Sequence, residues 1–280
     1  MPREKKKGSR STSSGRTEGG GGVNGWADQI LLLGVATARI ATAFLMLPLF
    51  GSDTVPAMVR NSIFIALGLI SLALQPPLST AVIEPAGWVA IFAKEAFCGL
   101  IIGFFFGSVL WALESAGQII DLKVGATIGQ ITDPLTGNQT SLNGAFLSRL
   151  ANIVFIFSGG LSLLVKVLME SYALWPIASP MPKLDPRGLT LFEGEFGRMM
   201  VLATLFAAPV LTVLFLIDCG LGLMNRFAQQ LNVFSLSLSI KAFAATAVLF
   251  LLVGSYVDAI ARDITSRPQL IEAILKGVGK

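Results

Sequence analysis

The sequence predicts an all-α membrane protein built from about six hydrophobic helical segments, some of them broken or hairpin-like. Three observations carry that reading. Of 280 residues, 53% are hydrophobic and 14% charged, with a mean hydropathy of +0.72, whereas soluble domains carry about a quarter charged residues to cover their surface. Apolar runs of about 20 residues, the length that crosses a bilayer core, recur near 28–50, 61–83, 87–113, 145–175, 197–224 and 241–260. Histidine is absent, which excludes imidazole-ligated haem, histidine zinc sites, Ser-His-Asp or Cys-His nucleophiles and histidine proton relays.

Residues 1–25 hold six basic and two acidic residues and almost nothing apolar, so they are expected to be a disordered basic tail. Such a tail suits nucleic acid, anionic lipid or plain solvation; beside a membrane segment, retention on the cytoplasmic side by the positive-inside rule is favoured. It lacks the short apolar region and cleavage site of a secretory signal. The membrane domain is expected over 26–262 and a cytoplasmic C-terminal tail over 263–280, with a short amphipathic helix after Pro268.

Two of the spans are imperfect. The second carries Pro76-Pro77, which ends or breaks a helix, and the fourth is interrupted by Ser158-Gly159-Gly160. Both fit re-entrant hairpins, tolerated where protein covers the freed backbone groups. Pro209 is expected to kink the fifth. Six spans place both basic ends in the cytoplasm, the C-terminal one through Arg262, Arg267, Lys276 and Lys280. Lys183 and Arg187 support that orientation, while Arg226 and Lys241 fall on the predicted outer side. WPIASPMPKLDPRG, with four of thirteen prolines, reads as an extended connector.

Gly99, Gly103 and Gly107 recur every four residues in the third span, a spacing that lets another helix backbone approach closely. At ~100° per residue, Glu95, Glu114, Gln118 and Asp121 fall on the same side, all within an arc of roughly 140°; Phe105, Phe106 and Leu110 are expected on the other side. Two readings stand: tight packing against neighbouring helices with the acids met by basic partners, or a water-lined path. Arg39, Lys94, Glu95, Arg149, Lys166, Glu170 and Asp218 also lie in or beside spans. Each must face protein, water or the interface, because an ion at the bilayer centre costs about 2.5–3.5 kcal/mol on insertion scales. Lys166 and Glu170 are spaced to pair, and Asp218 reads as the most isolated acid.

Residues 117–144 read as a long loop, rich in Gly, Thr, Asn and Gln, whose apolar residues tuck it into the protein. Glu193 and Glu195 read as loop acids with no catalytic spacing. Cys98 and Cys219, each in an apolar run, read as small buried hydrophobes. No phosphate-binding glycine motif, paired-cysteine metal site or nucleophile elbow is present. Cofactor, metal and catalytic residues are therefore not expected.

ESAGQIIDLKVG followed by DPLTG, then AAPV, then NRFAQQLNVFSLSLSIKAF resemble the FliR/SctT family, the T-type inner-membrane component of flagellar and virulence-associated type III export apparatus. TARIATAFLMLPLF and VPAMVRNSI are similar to that family's start, and the resemblance spans roughly 28–262. Gln229-Gln230 and Ser239 depart from a common Pro-Gln and a common proline, which bears on local turn geometry. Asn232-Val233-Phe234 and Ile240-Lys241 look closer to the injectisome branch. The resemblance implies a non-enzymatic, multi-pass inner-membrane subunit in a hetero-oligomeric helical assembly, with R-type and S-type membrane proteins, a U-type switch protein, exported protein substrates and lipid as partners, and no nucleic acid. On it, Glu114, Gln118, Asp121, Lys123 and Asp133 are candidates for a channel-side or plugging element, and Arg39, Arg226, Asn232 and Lys241 for assembly contacts. A self-contained secondary transporter using Asp218, Glu95 or Glu114 is the alternative.

Overall fold

A computed structural model describes residues 21–51, 55–75, 85–125, 141–177, 179, 186–227 and 233–278. Asp133, Asn232 and Lys183 lie outside the described residues, as do the side chains of Arg187 and of residues 268–278. The described chain runs α1 (Gly21–Leu45), a 3-10 turn (Pro48–Phe50), α2 (Ala57–Ala73), α3 (Pro85–Val124), α4 (Leu142–Phe157), α5 (Gly160–Leu174), α6 (Pro186–Phe227) and α7 (Val233–Val278). It is an all-α membrane protein, and each of the six expected hydrophobic segments contains helix, the second as far as Ala73 among the described residues.

Not all six are long enough to cross. Three helices qualify by length and composition, Gly87–Val124, Gly188–Phe227 and Leu236–Arg267, and a fourth span forms if α4 and α5, bent by 67°, count as one. The apolar parts of α1 and α2, Gln29–Leu45 and Ala57–Ala73, rise only about 25 Å each at 1.5 Å per residue, short of a core of about 30 Å. The α4–α5 bend falls at the glycine pair: Gly159 has φ +79°, a left-handed backbone that glycine adopts freely.

α3 is the spine. Of its most apolar window 67% is buried within the chain, against 28% for α6 and 11% for α7. It packs on α1, α4 and α6, while α7 lies along α6 and touches α4 and α5. The three spaced glycines bring α1 against it. A Cβ on Gly99 would overlap the Arg39 carbonyl and the Thr42 hydroxyl, and one on Gly103 would sit 2.6 Å from the Ala43 carbonyl oxygen. At Gly107 the fit is looser, 3.1 Å from the Met46 carbonyl oxygen. Phe105, Phe106 and Leu110 are equally buried, but only Phe105 lies opposite: at ~100° per residue Phe106 and Leu110 fall within the glycine arc, so the middle of α3 is covered by protein on both sides.

Several boundaries differ from expectation. Residues 117–124, read as loop, are the last turns of α3; Ile120 and Val124 continue its buried stripe. α6 begins at Pro186, so Glu193 and Glu195 are helical. A proline at the first helical position is already preorganised for it, which explains why the proline-rich connector ends in a helix start. α6 runs on through Pro209. α7 passes residue 262 without a break and carries Arg267 into the core. Cys98 is buried, but Cys219 is exposed.

Candidate functional site

Ionisable groups meet α3 at three levels, and each level joins it to a different part of the chain. At the first, Glu95 is fully buried beside Arg39 and Lys94. Arg39 Nε lies 2.7 Å from Glu95 Oε2, and its Nη2 donates to Glu95 Oε1 at 2.9 Å and to the Trp175 carbonyl at 2.8 Å. Nη1 donates to Ser171 at 3.0 Å, and the guanidinium stacks 4.1 Å from the Tyr172 ring centre. Lys94 Nζ sits 3.0 Å from Glu95 and donates to the carbonyls of Pro176, Ile177 and Ser179 at 2.8, 2.8 and 3.1 Å. Two cations thus share one anion, and the second is neutralised by the negative carbonyl end beyond α5. Arg39, expected as an assembly contact, is spent within the chain.

The second level was not anticipated. Glu195 of α6 reaches Arg267 Nη1 at 2.7 Å and Arg198 Nε at 3.3 Å, and accepts from the Ser108 hydroxyl at 2.6 Å. Asp263 holds both arginines, Arg198 at 2.6 Å and Arg267 at 2.8 Å. Arg267 also donates to Ser108 at 3.1 Å and to the Phe105 carbonyl. Two acids and two bases cancel in a site where Glu195 and Arg267 are buried, which is what burial of charge requires. Two cues were available: Asp263 and Arg267 are spaced one turn apart, and so, within four residues, are Glu195 and Arg198. Arg267, buried here, is no free charge for orienting the C-terminus.

The third level, at the C-terminal end of α3, holds most of the expected channel or plug residues. Asp121 is buried, yet no base among the described residues meets it. Its carboxylate accepts from the Ser141 hydroxyl at 2.5 Å, the Asn143 amide at 3.0 Å and the Asn143 side chain at 2.5 Å. Ser141 in turn accepts from the Gly144 amide at 2.9 Å as N-cap of α4. The acid therefore sits on the positive end of α4, and Gly117 lets that end approach: a Cβ there would be 2.5 Å from Asn143 and Gly144 backbone atoms. Asp121 and Gly117 so hold the C-terminal end of α3 against the N-terminal end of α4. Glu114, half-buried, accepts from Ser148 at 3.3 Å and from exposed Gln118 at 3.5 Å.

Asp218 is not isolated. Lys123 from α3 and Lys241 from α7 flank it at 2.8 and 3.1 Å, so the residue expected in a channel and the one expected at an assembly contact meet on one acid. Lys166 and Glu170 pair at 3.9 Å on an exposed face of α5. Arg226 is exposed near the end of α6. Of the two readings of the α3 stripe, packing accounts for its upper part; the acids at its lower end are met by hydroxyl and amide donors instead of basic partners. No group of three or more Cys, Asp or Glu residues placed to hold a metal occurs among the described residues.

A central helix against which buried charges are held by ion pairs, carbonyls, hydroxyls and amides of the surrounding helices defines a polytopic membrane scaffold. The chain belongs to the FliR/SctT family: the family model described as bacterial export proteins, family 1, matches residues 30–266. It is a membrane component of a type III secretion or flagellar export apparatus. It is 33% identical over 215 residues, 75% of this chain and 81% of the relative, to the Yop proteins translocation protein T of Yersinia pestis. It is 35% identical over 219 residues, 76% of this chain and 80% of the relative, to the surface presentation of antigens protein SpaR of Salmonella typhimurium. The flagellar biosynthetic protein FliR of Bacillus subtilis matches at 30% over 231 residues, 81% of this chain and 88% of the relative.

Proposed function

We propose that the protein is a pore or entry-gate subunit of a type III protein secretion export apparatus, conducting unfolded protein substrates across the bacterial inner membrane. It does so without catalytic chemistry, in a hetero-oligomer with R-type and S-type membrane proteins and in contact with a U-type switch protein. The observation that carries this is the lower end of α3. There half-buried Glu114 and exposed Gln118 have their polar groups only loosely held, at 3.3–3.5 Å, one to two turns before Asp121, whose carboxylate holds the N-terminus of α4. A polar edge beside a fixed helix junction suits a passage that must stay wet yet be stoppered. Most of the apolar window of α6 and α7 is uncovered by the chain itself, which suits helices whose neighbours are other subunits or lipid.

The transporter alternative has less support, because two of its three coupling acids, Glu95 and Asp218, are each held by two cations of the same chain, which leaves Glu114 alone to carry the coupling. Two measurements test the proposal. Detergent extraction and pull-down with R- and S-type proteins co-expressed should recover a complex; a free monomer alone overturns the assembly role. Asp121→Lys should impair secretion far more than Lys280→Glu at equal membrane accumulation; unimpaired secretion in both removes the role of the α3 end.

A further inference from the structure

The outer face of α4 carries a charge that no described residue matches. Leu142, Phe146, Ile153, Ile156 and Phe157 are exposed, and Arg149, exposed among them, forms no ion pair with any described residue. At ~100° per residue these six fall within an arc of roughly 100°, nearly opposite the buried Leu147, Ala151 and Val154. The spacing 142, 146, 149, 153, 156 alternates four and three, the period of a seam into which a second helix packs at a shallow left-handed crossing.

We infer that this seam receives an apolar helix of another subunit, one carrying an Asp or Glu at the level of Arg149. The cation decides among occupants. Lipid tails offer no counter-charge, and exposed apolar residues line about 10 Å of helix on either side of Arg149, so an anion brought to its level on a second helix meets the guanidinium without its having to snorkel past that stretch. A second copy closing α4 on α4 about a two-fold axis through the seam sets Arg149 against Arg149, leaving two cations desolvated without an anion. A carboxylate on a different helix completes the pair, much as Glu95 completes Arg39 inside the chain. The bend at Gly159 points the same way, since a broken helix pair at membrane depth needs protein over its freed backbone groups.

The inference rests on the reading of the chain as an assembly subunit. The test uses the full-length protein co-expressed with its apparatus in membranes, with a photo-crosslinking amino acid at position 146 or 153 and mass spectrometry of the adduct. The expected adduct joins a membrane helix of another subunit, with an Asp or Glu within one turn of the joined residue. Arg149→Glu should reduce the adduct at least about tenfold, Arg149→Lys should keep it, and changing the partner's acid to Lys should restore it in the Arg149→Glu background. Where Arg149→Glu fails to accumulate, Arg149→Gln replaces it, with the same loss expected. Adducts only to lipid, to a second copy or to residues 126–140 overturn the inference, as does an adduct indifferent to both variants. Recovery as a lone monomer defeats the assembly reading itself, whereas an intact assembly with lipid on this seam defeats only the inference.

Discussion

Replacing Glu95 by Gln removes one negative charge and almost no volume from the level where Arg39 and Lys94 meet it. Both cations are buried, so the variant leaves two positive charges with only carbonyls, a hydroxyl and an aromatic face around them. Charge centres about 4 Å apart attract by roughly 4 kcal/mol at an effective dielectric of about 20, in line with the 3–5 kcal/mol typical of a buried pair that has lost one partner. Glu95→Gln should therefore lower stability by about 3–5 kcal/mol. Arg39→Lys keeps the charge but loses the bonds to Ser171 and Trp175, and should cost about 1.5–3 kcal/mol. The assay is equilibrium denaturation of the purified chain in mixed micelles, followed by tryptophan fluorescence, since Trp175 sits at the site. Glu170→Gln, whose partner is 3.9 Å away on an exposed face, is the control and should change little. A Glu95→Gln loss no larger than that of Glu170→Gln refutes the claim that this level is held by charge balance.

The α1–α3 contact should tolerate little: Gly103→Ala must displace the Ala43 backbone and should cost about 1–3 kcal/mol, with Gly99→Ala worse, while Gly254→Ala, which has nothing within 4 Å, should be neutral in the same denaturation assay. Arg267→Ala leaves Glu195 buried beside Arg198 alone and should destabilise by about 3–5 kcal/mol, whereas Arg262→Ala should be silent; equal effects would separate residues beyond 262 from the packed body. Asp218→Lys sets three cations together and should open the α3–α6–α7 contact, read as increased protease cleavage near Lys123 and Lys241. The double change of Asp218→Lys with Lys241→Asp should restore protection.

Much of the architecture was legible because lipid imposes simple rules. Runs of about 20 apolar residues, a proline pair that ends α2 and a glycine pair that bends α4 onto α5 each act locally, so the chain announces them. The GxxxG spacing was equally readable, since glycine faces matter only where a backbone comes close. Pairing of charges was not. Asp218 looked isolated because its partners are Lys123 and Lys241, one on a preceding helix and one on the next. Asp121 wants a base by its charge, yet it meets the N-terminus of α4, whose Ser141 cap is a local signal that does not say which acid will reach it. Glu195 and Arg267, 72 positions apart, were assigned to a loop and a tail because helix ends at polar residues are the weakest local signal.

The sequence by itself determined an all-helical membrane protein, its six apolar segments, the close-packing face of α3 and, through several ordered motifs, its family. Only the tertiary structure decided which of those segments are long enough to cross and where each buried charge is neutralised. The physical reason is range. Helix length, breakage and glycine faces follow from neighbours a turn or two away, whereas an ion taken out of water is satisfied by whichever group the folded chain brings within about 3 Å, however distant in sequence.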